Sequence, residues 1–428
     1  MFDDVKDMIF KLFGKRVKSA AYRRDRQDVE AFCDTSRENL TAVFANSLST
    51  LAFADCSVSV IGADGVPNLR SRFLDELAQK HWRSMKQNIA VGNGCGMIAT
   101  IPYAQNRKIY LDTVAKDRFF ITGQQGDEVT RCTVISDVKV FGSVKYIRFT
   151  DYSLENGVYI IRQKAVRNGS EVPLTEVADW ADIAPEIRIG NVKKLPIGIY
   201  RCPASGRKTK NAVGVPITYG CEATMNKIAK CLDEIEREYK NKSVKIFADG
   251  TLFDKDKKLS DVYVKLRPSG RIDGGGGIDV FDPAFRDSAL YNRLEHLYAQ
   301  LEKEVGTSRG ILTDLQTNGA TATEIKRAAF QTFALCDDIR SEAEQYFKDV
   351  LYGADVLCEF YGLTPRGEYK TVFDRSYSLL EDSAETFNQL LSAHGVGAVD
   401  TAEIRRFVIG TETAEEAEQK VLRIAEQK

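Results

Sequence analysis

Lys145-Tyr146-Ile147-Arg148-Phe149 and Val158-Tyr159-Ile160-Ile161 stand on either side of Asn156-Gly157. Both runs are rich in β-branched and aromatic residues, and Asn-Gly is the dipeptide that best accepts the two positive φ angles of a tight hairpin turn. Asn168-Gly169 repeats the signal. Outward from this pair, Val58-Ser59-Val60-Ile61, Lys108-Ile109-Tyr110-Leu111-Asp112 and Cys132-Thr133-Val134-Ile135 read as further strands. From Ser57 to about Tyr200 one helix interrupts them, over about Leu69 to Lys86. Sequential hairpins favour an antiparallel sheet, so the fold class expected is α+β.

The flanks have another texture. Residues 1 to about 52 read as helical, with Val5, Ile9, Leu12 and Phe13 at helical spacing. Lys11 to Arg26 carries seven Lys/Arg against one Asp, which fits a solvated helix face or a contact with DNA or an acidic partner. Ser205 to Pro216 reads as a polar, glycine-bearing linker. Beyond it, Met225, Ile228, Leu232, Ile235 and Tyr239 form one stripe of a helix over Thr218 to Lys242. A second helix carries Leu290, Leu294, Leu297, Leu301 and Val305. Between the two lie strand signals, Val244-Lys245-Ile246-Phe247 and Val262-Tyr263-Val264-Lys265-Leu266, and then Gly274 to Gly277, which reads as a flexible loop. A polar segment, Gly306 to Ala320, precedes a long helix whose start fits a capping box, Thr321-Ala322-Thr323-Glu324. Gly362 and Pro365 mark its end near Phe360. Two short helices, about Ser383 to Ala393 and Thr401 to Phe407, follow Thr371-Val372-Phe373-Asp374.

At 428 residues the chain is long enough for two or three cores. Sixty Lys+Arg against sixty-one Asp+Glu leave a formal charge of −1, so any grip on nucleic acid must be local. Nine cysteines, an odd number with no C-x-x-C spacing, indicate reduced thiols and neither a disulfide framework nor a zinc module. No run approaches the length of an apolar membrane span, and the first residues have the wrong charge order for a signal peptide, so a soluble intracellular protein is expected.

Material for catalysis is sparse. The three histidines, His81, His296 and His394, stand in no metal-ligand or acid/base spacing, and no metal or cofactor is implied. Val91-Gly92-Asn93-Gly94-Cys95-Gly96 is superficially a phosphate loop, but it lacks the G-x-G-x-x-G spacing and reads better as a turn into a strand. Gly206-Arg207-Lys208-Thr209 lacks the Walker spacing. The chain is therefore not expected to be an enzyme.

The order of these elements resembles the portal protein of tailed bacteriophages. Gly319-Ala320-Thr321-Ala322-Thr323-Glu324-Ile325-Lys326 resembles the Thr-Ala-Thr-Glu-Val signature of the portal branch found in phages of Gram-positive bacteria. Val372-Phe373-Asp374-Arg375-Ser376 is similar to that branch's Val-x-Phe/Trp-Asp-Asp-Ser, with Arg375 in place of the second Asp. Ile409-Gly410-Thr411-Glu412-Thr413-Ala414-Glu415-Glu416-Ala417 resembles its closing helix start. Gly214-Val215-Pro216-Ile217, the helix through Asp233 to Tyr239 and Lys245-Ile246-Phe247 resemble its Gly-x-Ser-Ile, helix, Arg-Ile-Phe-Val run. The likeness covers roughly residues 95 to 428.

The resemblance implies a homo-oligomeric ring, typically a dodecamer, at one capsid vertex of the virion, assembled in the cytoplasm of the bacterial host. Double-stranded DNA would pass through it without sequence readout during packaging and ejection. The terminase large subunit, the head-tail adaptor and the major capsid and scaffold proteins would be its partners, with no membrane. On that template residues 1–216 are the wing, 217–242 and 287–306 the stem helices, 243–286 the clip, 307–322 the tunnel loop, 323–376 the long helix with its return to the wing, and 377–428 the crown. Thr313, Gln316, Thr317 and Asn318 would face DNA. Ile228, Leu232, Ile235, Leu290, Leu294, Leu297 and Leu301 would pack the stem, and Leu294→Asp would block ring formation. Val244, Ile246, Phe247, Val262 and Val264 would build the clip, pairing across subunits.

Between Asp287 and Gly306, Arg293 and Lys303 face four acidic residues, Asp287, Glu295, Glu302 and Glu304. Such a wall would repel phosphate slightly and let DNA slide. Gly310 and Gly319 would allow the loop to move. Two other readings are an α+β enzyme with a nucleotide loop at Gly92 to Gly96, and a phage-head structural protein without a channel.

Overall fold

The computed structural model describes residues 8, 12, 27–34, 39–54, 56–126, 128–204, 214–241, 245–249, 263–266, 278–281, 287–314, 322–375, 390–409 and 420–421. Within these the chain is a mixture of helix and mainly antiparallel sheet, an α+β protein.

The hairpins form where the turn dipeptides stand. Strands β4 (Phe119–Gln125), β5 (Glu128–Phe141), β6 (Val144–Glu155), β7 (Val158–Arg167) and β8 (Ser170–Val172) follow one another across a sheet, with β9 (Glu186–Ile189) also paired to β7. Asn156 and Gly157 turn at φ 50° and 75°, and Asn168 and Gly169 at 46° and 92°. The sheet is covered on both sides. Phe119, Cys132, Val134 and Tyr159 face the main core, while Phe120, Ile135, Ile147, Phe149 and Val166 bury Met8 and Leu12. Of the predicted N-terminal stripe, Val5, Ile9 and Phe13 lie outside the described residues, as does the basic stretch apart from Leu12.

Helix α1 (Leu40–Ala52) and helix α2 (Leu69–Cys95) lie against each other, and α2 opens with a capping box: Ser71 N–H donates to Asn68 Oδ1 at 2.8 Å while Asn68 N–H donates to Ser71 Oγ at 2.9 Å. α2 runs nine residues beyond the predicted end at Lys86, which corrects the reading of 91–96 as a turn. From Gly96 the chain enters β2 (Met97–Gln105), which pairs with β3 (Lys108–Ala115) and, on its other edge, with β10 (Gly198–Arg201).

The core is organised on α5, a 39-residue helix (Ala322–Phe360) that follows α3 (Glu222–Asn241) and α4 (Asp287–Val305) in the chain. Its buried stripe, from Cys336 through Ile339, Tyr346, Phe347 and Val350 to Leu357, meets α1, α2, β2 and β10. Two glycines permit the closest approach. A Cβ on Gly353 would stand 2.5 Å from the Pro196 carbonyl oxygen, and one on Gly198 would stand 2.8 Å from that of Tyr346. Polar groups thread the same core. His81 Nε2 lies 3.3 Å from the Tyr346 hydroxyl, which lies 2.6 Å from Thr100 Oγ1, itself 2.7 Å from Thr113 Oγ1. Arg340, also buried, donates from Nε to the Ala52 carbonyl at the end of α1.

α5 ends at Gly362, where Leu363 N–H returns to the Cys358 carbonyl and Gly362 N–H to that of Glu359, a Schellman closure. Buried Arg70 in the first turn of α2 then grips the departing chain. It donates to the Thr364 and Pro365 carbonyls and to Asp355 Oδ1 at 2.9 to 3.1 Å. The segment so directed is β14 (Tyr369–Arg375), which pairs antiparallel with β1 (Cys56–Gly62), Val58 opposite Phe373. Near the end of the described chain, α6 (Thr401–Ile409) forms where a short helix is expected, and 390–395 is helical. The cysteines are free and seven of them are buried.

Candidate functional site

The region for which sequence reading carries the sharpest expectation, 217–322, starts inside the core. Residues 205–213 lie outside the described residues, but Gly214 to Ile217 is no exposed tether. Val215 and Ile217 are buried, Ile217 N–H donates to the Asn93 carbonyl, and Thr218 Oγ1 lies 2.8 Å from Thr41 Oγ1. From this anchor α3 departs and α4 returns beside it.

Their contact is made by the predicted stripe. Ile228, Ile235, Leu294, Leu297 and Leu301 are buried, and Leu232 and Leu290 are half-buried against the same cluster. All of these contacts lie within one chain. Leu294→Asp therefore places a charge between α3 and α4 in the hairpin itself, so a test of ring formation with this variant also needs a check that the chain is folded. Polar groups flank the seam: Arg293 pairs with Glu234 at 3.1 Å, and Thr224 donates to Glu304 at 3.0 Å. His296 is exposed on α4.

Between the helices stands a three-stranded sheet. β11 (Lys245–Asp249) is central, parallel to β12 (Tyr263–Leu266) and antiparallel to β13 (Ile278–Phe281). These strands pair with one another within the chain, Phe247 opposite Val264 and Ile246 opposite Val280, which leaves β12 and β13 as the edges of this sheet. Val244 and Val262 lie outside the described residues, as does Gly274 to Gly277, whose far side is a strand that sequence reading missed.

At the other end of α4 the chain reverses around one carboxylate. Gly306 adopts φ 91°, a left-handed position that glycine takes without strain, and Thr307 N–H donates to the Glu302 carbonyl at 2.9 Å. The Glu302 side chain, 1% exposed, then receives the loop that follows. Its Oε1 accepts the backbone N–H groups of Gly310, Ile311, Leu312 and Thr313 at 3.2, 2.9, 2.7 and 3.2 Å. Its Oε2 accepts the Thr313 hydroxyl at 2.6 Å. Consecutive amides converging on an anion form a nest, and here the anion belongs to the chain itself. Ser308 N–H donates to Thr332 Oγ1, which fastens the loop to α5 as well.

This arrangement corrects three expectations. Thr313 is buried and its hydroxyl is committed to Glu302, so it offers nothing to DNA. Gln316, Thr317, Asn318 and Gly319 lie outside the described residues. Glu302 points inward and drops out of the acidic wall. Gly310, at φ 118°, is part of the nest and is fixed by it, where mobility was expected. Sequence reading missed Glu302 because a Glu in a helix rich in charges reads as solvated. Its trace was the position: it flanks the Leu297, Leu301, Val305 stripe four residues before a helix-ending glycine.

The stretch Gly92 to Gly96 behaves differently. Gly92 to Cys95 are helical and buried, and a Cβ on Gly92 would stand 2.4 Å from the Tyr200 ring and one on Gly94 2.0 Å from the Phe32 ring. Asn93 accepts the Tyr200 hydroxyl proton at 2.6 Å. The amides of 92–95 lie inside the helix and cradle no phosphate, so a nucleotide loop is not built here. An open cleft of about 390 Å³ lies at Arg70, Asp355, Glu359, Arg366, Gly367 and Glu368. Its cations are engaged, Arg70 as described and Arg366 with Glu359, which makes it part of the scaffold holding β14. Among the described residues no group of three or more His, Cys, Asp or Glu could hold a metal, and no helix is long and apolar enough to cross a membrane.

Compared with protein-family models and with curated proteins, the chain matches none.

Proposed function

We propose that this chain is a subunit of a portal-type ring at a phage capsid vertex, the passage for double-stranded DNA and the docking site for the packaging terminase and the head-tail adaptor. One observation carries the reading: a two-helix hairpin brackets a small sheet, and a loop fastened at its base leads into a 39-residue helix whose end returns to the first strand. Two of the quoted motifs fall on regular elements. Thr323 and Glu324 are in the first turn of α5, and Val372 to Arg375 are in β14.

In this reading α3 and α4 are the stem, β11 to β13 the clip, and 315–320 the segment nearest DNA. Glu302 fixes where that segment starts, on the α4 side, while α5 fixes where it ends. The wall that α4 offers keeps Glu295 and Glu304 against Lys303, with Arg293 neutralised by Glu234. Weak net repulsion of phosphate suits passage better than a grip.

The test is mass in solution followed by negative-stain electron microscopy of the purified chain. Rings of about twelve subunits around an open centre support the proposal. A chain that stays monomeric with and without capsid and scaffold proteins overturns it. Gln316→Arg with Asn318→Arg should leave rings intact and impair DNA packaging, and normal packaging removes the loop from the DNA path.

A further inference from the structure

The β2–β3 hairpin carries a feature that neither core packing nor a channel explains. Its two-residue turn is Asn106-Arg107, with φ 52° and 57°. The other two-residue turns of this kind, Asn156-Gly157 and Asn168-Gly169, place glycine at the second position, where a Cβ is strained. Here that position holds an arginine, exposed to solvent. Backbone strain kept at an exposed tip points to a use for the side chain.

The surroundings give the use a chemistry. Tyr103 and Tyr110 are register partners, the third pair from the turn, stacked with ring centroids 5.5 Å apart and planes 24° apart. Tyr103 is 43% exposed. Gln105 and Lys108 fall on the same face by the two-residue period of a strand. Neither Arg107 nor Lys108 makes an ion pair with a described residue. The nearest acid along the strand, Asp112, is four residues from Lys108, roughly 13 Å at strand spacing. Ile109, on the opposite face, is buried in the main core, so the tip stands on a fixed base.

We propose that this tip binds single-stranded nucleic acid, a base stacking on the outer face of the tyrosine pair while Arg107 and Lys108 take neighbouring phosphates. An aromatic platform beside two cations that no described residue neutralises fits a strand with free bases better than a duplex, whose bases offer no open face. An acidic peptide would use the cations and leave the tyrosines idle. The inference is independent of the ring and of the DNA path along α4.

The experiment is fluorescence anisotropy of the full-length protein with a fluorescein-labelled mixed-sequence DNA strand, over a salt series. Arg107→Gly separates binding from folding, because the turn should gain from glycine. We expect the thermal midpoint to rise by about 2 °C while affinity falls several-fold and the salt slope drops by about 0.7. Tyr103→Ser should weaken binding on the order of tenfold, and Tyr103→Phe should keep it. The duplex of the same sequence should bind more weakly and ignore Tyr103→Ser. Unchanged affinity in both Arg107→Gly and Tyr103→Ser overturns the proposal. So does equal competition by poly-glutamate with no effect of Tyr103→Ser, which assigns the tip to an acidic protein.

Discussion

At the end of α2, Gly92 and Gly94 lie inside the helix and supply an absence, the space that the Tyr200 and Phe32 rings occupy. At the end of α4, Gly306 and Gly310 lie outside the helix and supply a conformation, positive φ angles that turn the chain back onto Glu302. Among the described residues, its chain neighbours aside, no atom stands within 4 Å of a Cβ on Gly306. Two glycine-bearing helix ends of similar composition thus do opposite things. The first is defined by what surrounds it, and the second by its own backbone and one carboxylate.

Substitution should separate them. Gly92→Leu forces a side chain into the buried Tyr200 ring, and we expect a loss of about 3 kcal/mol in urea unfolding. A loss under about 1 kcal/mol would mean that Tyr200 can yield, and the contrast with α4 would break.

Acid sharpens the comparison from another position on α2. Burial pulls His81 down from 6.5 to about 4. Its unfolded form therefore binds a proton over a range where the folded form does not, and stability falls as pH drops from 6.5 to about 4, by about 3 kcal/mol in all. His81→Gln should flatten that part of the pH–stability curve, and an unchanged slope assigns it elsewhere.

At α4, Glu302→Ala leaves four amides without their acceptor, so the loop should open locally. Hydrogen exchange at 310–313 should speed up roughly 30-fold, equivalent to about 2 kcal/mol, with exchange in α2 unchanged. Glu302→Gln keeps an acceptor oxygen and should lie between. The smallest effect is expected for Gly306→Ala, about 1 kcal/mol, read from the urea midpoint. A larger loss would show that α4 and the nest unfold together.

How much could be read in advance divides along the same line. Asn156-Gly157 and Asn168-Gly169 revealed the hairpins because the required backbone is encoded in the turn residues themselves. The stripes of α3 and α4, the start of α5 and its stop at Gly362 were legible for the same reason. The continuation of α2 through Gly92 to Cys95 was hidden, since Tyr200, about a hundred residues downstream, and Phe32, about sixty upstream, explain why glycines belong there. The nest was hidden too: the amides that need an acceptor carry no mark in sequence, and Glu302 looks like any solvated glutamate. β13 escaped because four residues behind a glycine run give too short a pattern to separate from a loop.

The pairing of β1 with β14 also sets a timetable for synthesis. Gly62 ends one strand and Tyr369 begins its only described partner, with about 300 residues between them. At about 5–20 residues per second, the ribosome leaves β1 waiting for roughly 15–60 s. During that interval the alternating apolar residues Val58 and Val60 belong to a strand with two open edges, and the underside of α2 lacks the α5 stripe that later covers it. The nascent N-terminal part is then exposed to pairing with other chains, and a chaperone that shields it until residue 375 emerges would raise the yield of folded protein.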